Sequence, residues 1–186
     1  IITGLSGSGK SIALRSLEDL GYFCIDNLSP KMIIQMLEVI KVSRQKIYKK
    51  IAISIDIRSI KMDVDYQNTI DSLYIELHKL DFKSTTVFLH SSPNILLSRF
   101  NATRRLHPLT NDKVDLKTAI SNEADIMQLL KEKSNLIIDS DKLLPLELKK
   151  EIASKISVIK NNKDMLIQLQ SFGYKNSIPN ESDFVF

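Results

Sequence analysis

The stretch "IITGLSGSGKS", residues 1–11, passes from a short apolar run into a loop made almost wholly of Gly and Ser. The chain contains five glycines in 186 residues, and three of them, Gly4, Gly7 and Gly9, fall here. The loop is therefore a local demand for bare backbone and not a low-complexity habit. Gly4-Leu5-Ser6-Gly7-Ser8-Gly9-Lys10-Ser11 fits the pattern G-x-x-x-x-G-K-[ST]. The spacing has a physical cause: the chain must curl around a phosphate with successive N–H groups pointing inward, a conformation that side chains obstruct. A helix beginning at the end of such a loop adds its free N–H groups and the positive end of its dipole. Lys10 would reach the β- and γ-phosphates as a point charge, and the Ser11 hydroxyl would ligate Mg²⁺. The implied ligand is a nucleoside triphosphate, ATP or GTP, with Mg²⁺ as cofactor.

Outward from the loop, strand-length apolar runs alternate with helical patterns. Residues 1–4, 22–26, 51–57, 85–90 and 136–139 read as strands, and residues 11–20, 30–40, 65–80, 116–133 and 144–159 as helices, with a further helix opening at Ser92-Pro93. Parallel neighbours need crossovers, and crossovers cover the faces of the sheet. The expected fold is α/β: a doubly wound parallel sheet with helices on both faces, of the P-loop NTPase, nucleotide kinase-like kind. Residues 1–160 form the expected nucleotide-binding domain; the pattern then breaks at "KNNKD", and residues 161–186 read as a linker and the truncated start of a C-terminal domain.

Composition narrows the partners. With 43% hydrophobic and 26% charged residues, no apolar run approaches the ~20 residues that span a bilayer. No signal peptide is visible, so a cytoplasmic address and no membrane partner are expected. The net charge of +4 is spread thinly along helices, and no interleaving of aromatic and basic residues suggests stacking on nucleic acid. The single cysteine, Cys24, in "GYFCID" reads as a small core residue. A homo-oligomer is compatible with these features.

A phosphate loop needs a carboxylate for the metal shell, at the carboxyl end of a neighbouring strand. Asp56 in "AISIDIRS" is favoured; Asp26 in "FCIDN" is the rival, and would otherwise lie nearer the acceptor side, orienting a hydroxyl or the attacking water. In "SRFNATRRLHP", residues 98–108, Arg99, Arg104, Arg105 and His107 leave a helix and enter a loop closed by Pro108. Arg104 and Arg105 are the candidate cationic lid over the γ-phosphate, while a merely solvated helix end would look similar; His78 and His90 read as decorating a helix and a strand end. Asn161-Asn162-Lys163-Asp164 fails the spacing of the guanine-reading Asn-Lys-x-Asp, so base preference stays open.

The segments "ITGLSGSGKSIALRSLEDLGYFCIDNLSP", "SIDIRS", "TRRLHPL" and "SFGYKNSIP", in this order, resemble the RapZ/YvcJ family of bacterial nucleotide-binding proteins, also called RNase adapter proteins. The resemblance covers essentially the whole chain. It implies an N-terminal domain that binds and slowly hydrolyses ATP and GTP. It also implies a C-terminal domain, missing here, through which alone RNA or an amino-sugar phosphate would bind. Gly4 to Ser11 match the family's ATP-binding loop, and Asp56, Ile57, Arg58 and Ser59 match the segment that the family assigns to GTP. The reading is a weak ATPase/GTPase with a regulatory purpose. The alternative is a small-molecule kinase in which Asp26 activates an acceptor and Arg104 and Arg105 close as a lid. A non-catalytic adapter using nucleotide for shape is a third.

Overall fold

A computed structural model describes residues 1–43 and 50–159. The expected linker and C-terminal start at 161–186 lie outside the described residues. The five expected strands are present as β1 (Ile2–Gly4), β2 (Phe23–Ile25), β3 (Ile51–Ile53), β4 (Val87–His90) and β5 (Leu136–Asp139). All pair in parallel: β1 with β4, β4 with β5, and β2 with β3. A parallel bridge from Ile2 to Ser54 joins the two groups, which gives the spatial order β2-β3-β1-β4-β5.

Among the described residues, six helices fill the crossovers, α1 (Lys10–Asp19), α2 (Pro30–Ser43), α3 (Ile57–Lys61), α4 (Tyr66–Lys79), α5 (Pro93–Thr103) and α6 (Leu116–Glu132), and a seventh, α7 (Pro145–Ile159), follows β5. Alternation along the strands sorts the core into two layers. Ile2, Ala52, Val87 and Leu89 pack against Ala13, Leu14 and Leu17 of α1 and Leu148 and Ile152 of α7. On the other face, Ile53 and Phe88 pack against Ile33 and Leu37 of α2, Leu73 of α4, and Met127 and Leu130 of α6. The doubly wound α/β architecture follows directly. Cys24, on β2, is half-buried; its thiol lies 3.4 Å from the Leu14 carbonyl, and burial pushes it up to about 11.

The third strand is shorter than its apolar run suggests. "IAISIDI" reads as strand to residue 57, yet β3 ends at Ile53, and Asp56 becomes the N-cap of α3. The Asp56 side chain accepts from the Arg58 and Ser59 N–H groups, and the Ser59 hydroxyl accepts from the Asp56 N–H, a reciprocal capping box. Capping turns the chain so that Asp56 stops at the carboxyl edge of the sheet. Gly4, Asp26, Asp56, His90 and Ser140 all fall at this edge or just beyond it. Among the described residues, no helix is long and apolar enough to cross a membrane.

Candidate functional site

A cleft of about 550 Å³ opens at the carboxyl edge, floored by residues 6–12 and walled by Asp56, Arg58, Arg99, Phe100, Arg105, Leu143 and Pro145, among others. Its floor is set by backbone geometry. At Gly4 (φ +137°) a Cβ would stand 2.2 Å from the Leu89 carbonyl oxygen, because β4 runs hard against β1 at that point. Gly9 (φ +107°) is the N-cap of α1, and a Cβ there would stand 2.5 Å from Leu148 Cδ2. Both positions demand glycine, one through a backbone neighbour and the other through a left-handed turn.

Within the loop, roles divide. Leu5 is buried, and its carbonyl accepts from the Ser8 N–H at 3.1 Å and the Ser8 hydroxyl at 2.7 Å, which closes the turn from inside. Lys10 donates from Nζ to the carbonyls of Gly4 (2.8 Å) and Leu5 (3.0 Å). Burial holds the Lys10 ammonium below its ordinary range, opposed by the charges of Glu123, Asp56 and Asp26, while Arg58 adds to the lowering. Ser11, in the first turn of α1, faces the cleft and is exposed. Gly4 and Leu5 support the cleft without lining it.

The second segment divides similarly. Asp56 and Arg58 line the cleft, whereas Ile57 and Ser59 are buried beneath it. The Asp56 carboxylate accepts from the Arg58 N–H at 2.9 Å, Arg58 Nε at 2.9 Å and Arg58 Nη2 at 2.5 Å, and from the Ser59 N–H at 3.4 Å. Four donors occupy the four lone-pair sites of its two oxygens. The hydrogen bond to Asp56 raises the Arg58 pKa, and its side chain remains about half exposed (54%), with room to turn. Asp26 is exposed beyond β2 and does not line the cleft, although its charge acts on both Lys10 and Arg58.

The cationic stretch resolves into three separate tasks. Arg99 donates to the Gly7 carbonyl (3.1 Å), the Ser140 hydroxyl (3.1 Å) and the Ser140 carbonyl (2.5 Å), which fastens the phosphate loop to the turn after β5. Arg104 adopts the left-handed conformation (φ 52°) as the C-cap of α5 and is not among the residues that line the cleft. Arg105 does line it and is exposed. Of the two candidate lid arginines, the structure brings Arg105 to the cleft wall.

Two residues matter more than the sequence suggests. Glu123 of α6 is fully buried and accepts from Ser6 N–H (2.9 and 3.0 Å to its two oxygens) and the Ser6 hydroxyl (2.7 Å). His107 places Nε2 at 2.9 Å from the same carboxylate. The available signal for Glu123 is its place on the apolar stripe of Ala119, Ile120, Met127 and Leu130, where a carboxylate needs partners.

A family model described as the RapZ-like N-terminal domain matches residues 1–160. A curated "Nucleotide-binding protein" of Caldicellulosiruptor bescii is 36% identical over 187 residues, covering 100% of this chain and 62% of the relative. One from Shewanella loihica is 39% identical over 186 residues, covering 100% of this chain and 63% of the relative. The chain thus spans under two thirds of the length of these relatives. Among solved structures, shikimate kinase from Bacteroides thetaiotaomicron superposes with a TM-score of 0.52 at 14% identity, covering 87% of this chain and 97% of that one. That likeness concerns the fold alone, a P-loop kinase-like one.

Proposed function

The chain belongs to the family of RapZ-like N-terminal domains, and from that premise we propose that it binds ATP and GTP with Mg²⁺ in the cleft over residues 4–11 and hydrolyses them slowly. The observation that carries the reading is Lys10. Its partly buried ammonium lies at the cleft floor on two carbonyl oxygens of its own loop, where phosphate oxygens would be stronger partners. A volume of about 550 Å³ suits a nucleotide. The apolar side chains of Leu143, Pro145 and Leu148 offer a surface to a base.

In this reading the N–H groups of the loop and of the first turn of α1 take the phosphates. Magnesium, when bound, would neutralise charge on the β- and γ-oxygens; Ser11 would hold it, joined by Asp56 once Arg58 turns from the carboxylate. Arg58 and Arg105 would then stabilise the negative charge of the transferring phosphoryl group. Water would attack the γ-phosphorus and lose a proton to solvent, the bond from the γ-phosphorus to the β–γ bridging oxygen would break, and the nucleoside diphosphate and inorganic phosphate would leave.

Asp26 favours a second reading. An exposed carboxylate beyond β2, electrostatically close to Lys10 and Arg58, suits an acceptor hydroxyl, and a small-molecule kinase would use it so. Contacts with RNA or an amino-sugar phosphate, implied by the family resemblance, we assign to the part of the relatives that this chain does not span.

Phosphate release from ATP and GTP, with and without Mg²⁺, tests the proposal. The expected rate is about 10⁻⁴ to 10⁻² per second. A metabolite that raises ATP consumption roughly a hundredfold and gains a phosphoryl group by mass spectrometry establishes the kinase instead. Absence of Mg²⁺-dependent turnover overturns both.

A further inference from the structure

The phosphate loop and the segment that carries Arg105 meet on one buried carboxylate. Glu123 is fully buried, as is the His107 side chain. The Leu109 N–H donates to His107 Nδ1 at 3.1 Å, so Nδ1 is an acceptor, the ring hydrogen sits on Nε2, and Nε2 donates to Glu123. Both oxygens of the carboxylate then accept, from the Ser6 N–H, the Ser6 hydroxyl and the imidazole. His107 is itself fixed: the Phe100 ring packs against it at 5.1 Å between centroids, and its carbonyl accepts from the Thr110 N–H and hydroxyl. Its neighbours Arg105, Leu106 and Pro108 line the cleft.

A buried ionised carboxylate is costly unless each oxygen is satisfied, and an apolar residue of similar size would fill the same place at less cost. Retaining the charge makes physical sense where it ties elements together. Removal of one donor leaves the carboxylate under-satisfied, so it must turn and disturb the donors that remain. Glu123 also supplies the largest of the charge effects that oppose the burial of Lys10.

We propose that His107 and Glu123 form a strut that fixes the phosphate loop and the Arg105 segment relative to each other, with Glu123 the positioning residue for both. The strut itself needs no ligand; that it delivers Arg105 to the end of a bound triphosphate rests on the function proposed above.

The experiment perturbs one end and reads the other by residue-resolved amide hydrogen exchange on the protein without nucleotide. His107→Ala should speed exchange at Ser6 and Ser8, whose N–H groups bond Glu123 and the Leu5 carbonyl, by about tenfold, and Ser6→Ala should do the same at Leu109 and Thr110. His107→Gln, whose side-chain N–H can replace the Nε2 donor, should restore most of the protection at Ser6. Acceleration confined to the substituted segment in either direction overturns the strut. If His107→Ala does not fold, Ser6→Ala and His107→Gln carry the same criterion.

The functional arm compares the ATP-to-ADP ratio of dissociation constants in Arg105→Ala, His107→Ala and the double variant. The double variant should be no worse than Arg105→Ala alone; multiplication of the two effects overturns delivery of Arg105 by the strut. If Arg105→Ala leaves the ratio unchanged, the lid reading has failed, and the exchange data still decide the strut.

Discussion

The phosphate loop and the cationic segment after α5 are both loops at the same sheet edge, yet they are built on opposite principles. Residues 4–11 take their curl chiefly from local features: Gly4 lets β4 pass, Gly9 turns left-handed, and the Ser8 N–H and hydroxyl close on the Leu5 carbonyl, while Glu123 and Arg99 hold the finished loop to the rest of the fold. Residues 99–110 take theirs from side chains with distant partners: Arg99 on Gly7 and Ser140, His107 on Glu123. A backbone-made site is specified by a contiguous string of residues. A side-chain-made one depends on the fold that brings its partners together.

The sharpest break of this contrast is Gly4→Ala. A Cβ 2.2 Å from a backbone oxygen has nowhere to go. The cost should be about 3 kcal/mol or more, seen as loss of the cooperative melting transition or a large fall in Tm. Gly9→Ala meets the tip of Leu148, which can move, and should cost less stability, about 1–3 kcal/mol of turn strain. Equal losses at the two positions would show that strain at φ > 0, and not the approach of β4, governs the loop.

Next in size is Lys10→Ala, which should weaken ATP binding about a hundredfold by titration calorimetry while leaving the far-ultraviolet circular dichroism unchanged. In the cationic segment the effect should be smaller and unequal: about tenfold for Arg105→Ala, which lines the cleft, and within about twofold for Arg104→Ala, which does not. Reversal of that order would reassign the lid.

The smallest signal is protonic. Burial lowers the Lys10 pKa in the free protein, and phosphate oxygens would raise it again on binding. The complex then holds more protons than the separated partners, so affinity falls as pH rises through the free-protein value. Calorimetry over a series of pH values below the ordinary lysine value, repeated in buffers of different ionisation enthalpy, should register proton uptake. Release of protons would mean that Lys10 does not meet the phosphates.

Legibility in the sequence follows the same division. The strands, the six longer helices and the phosphate loop were visible because period, glycine spacing and Pro or Gly boundaries are local signals. The short helix α3 was not: "IAISIDI" continues apolar past the true strand end, and the turn depends on an Asp56–Ser59 capping box of three-residue reach. His107 alone said little, since its partner is 16 residues away and the Ser6 end of the same contact lies 117 residues from Glu123. The distinction between Arg104 and Arg105 rests on one left-handed residue that ends α5, a feature no spacing encodes. Asp56 was favoured over Asp26 as the metal carboxylate, but its pairing with Arg58 depends on the turn into α3, which the strand-like run conceals.

The central claim is that residues 4–11 cup a polyphosphate. A crystal structure with Mg²⁺ and a nonhydrolysable ATP analogue tests it most directly. The account predicts the β- and γ-phosphates against the N–H groups of residues 7–11, with Lys10 Nζ moved from the carbonyls of Gly4 and Leu5 onto phosphate oxygens. A triphosphate bound elsewhere, with Lys10 still on those two carbonyls, would contradict it.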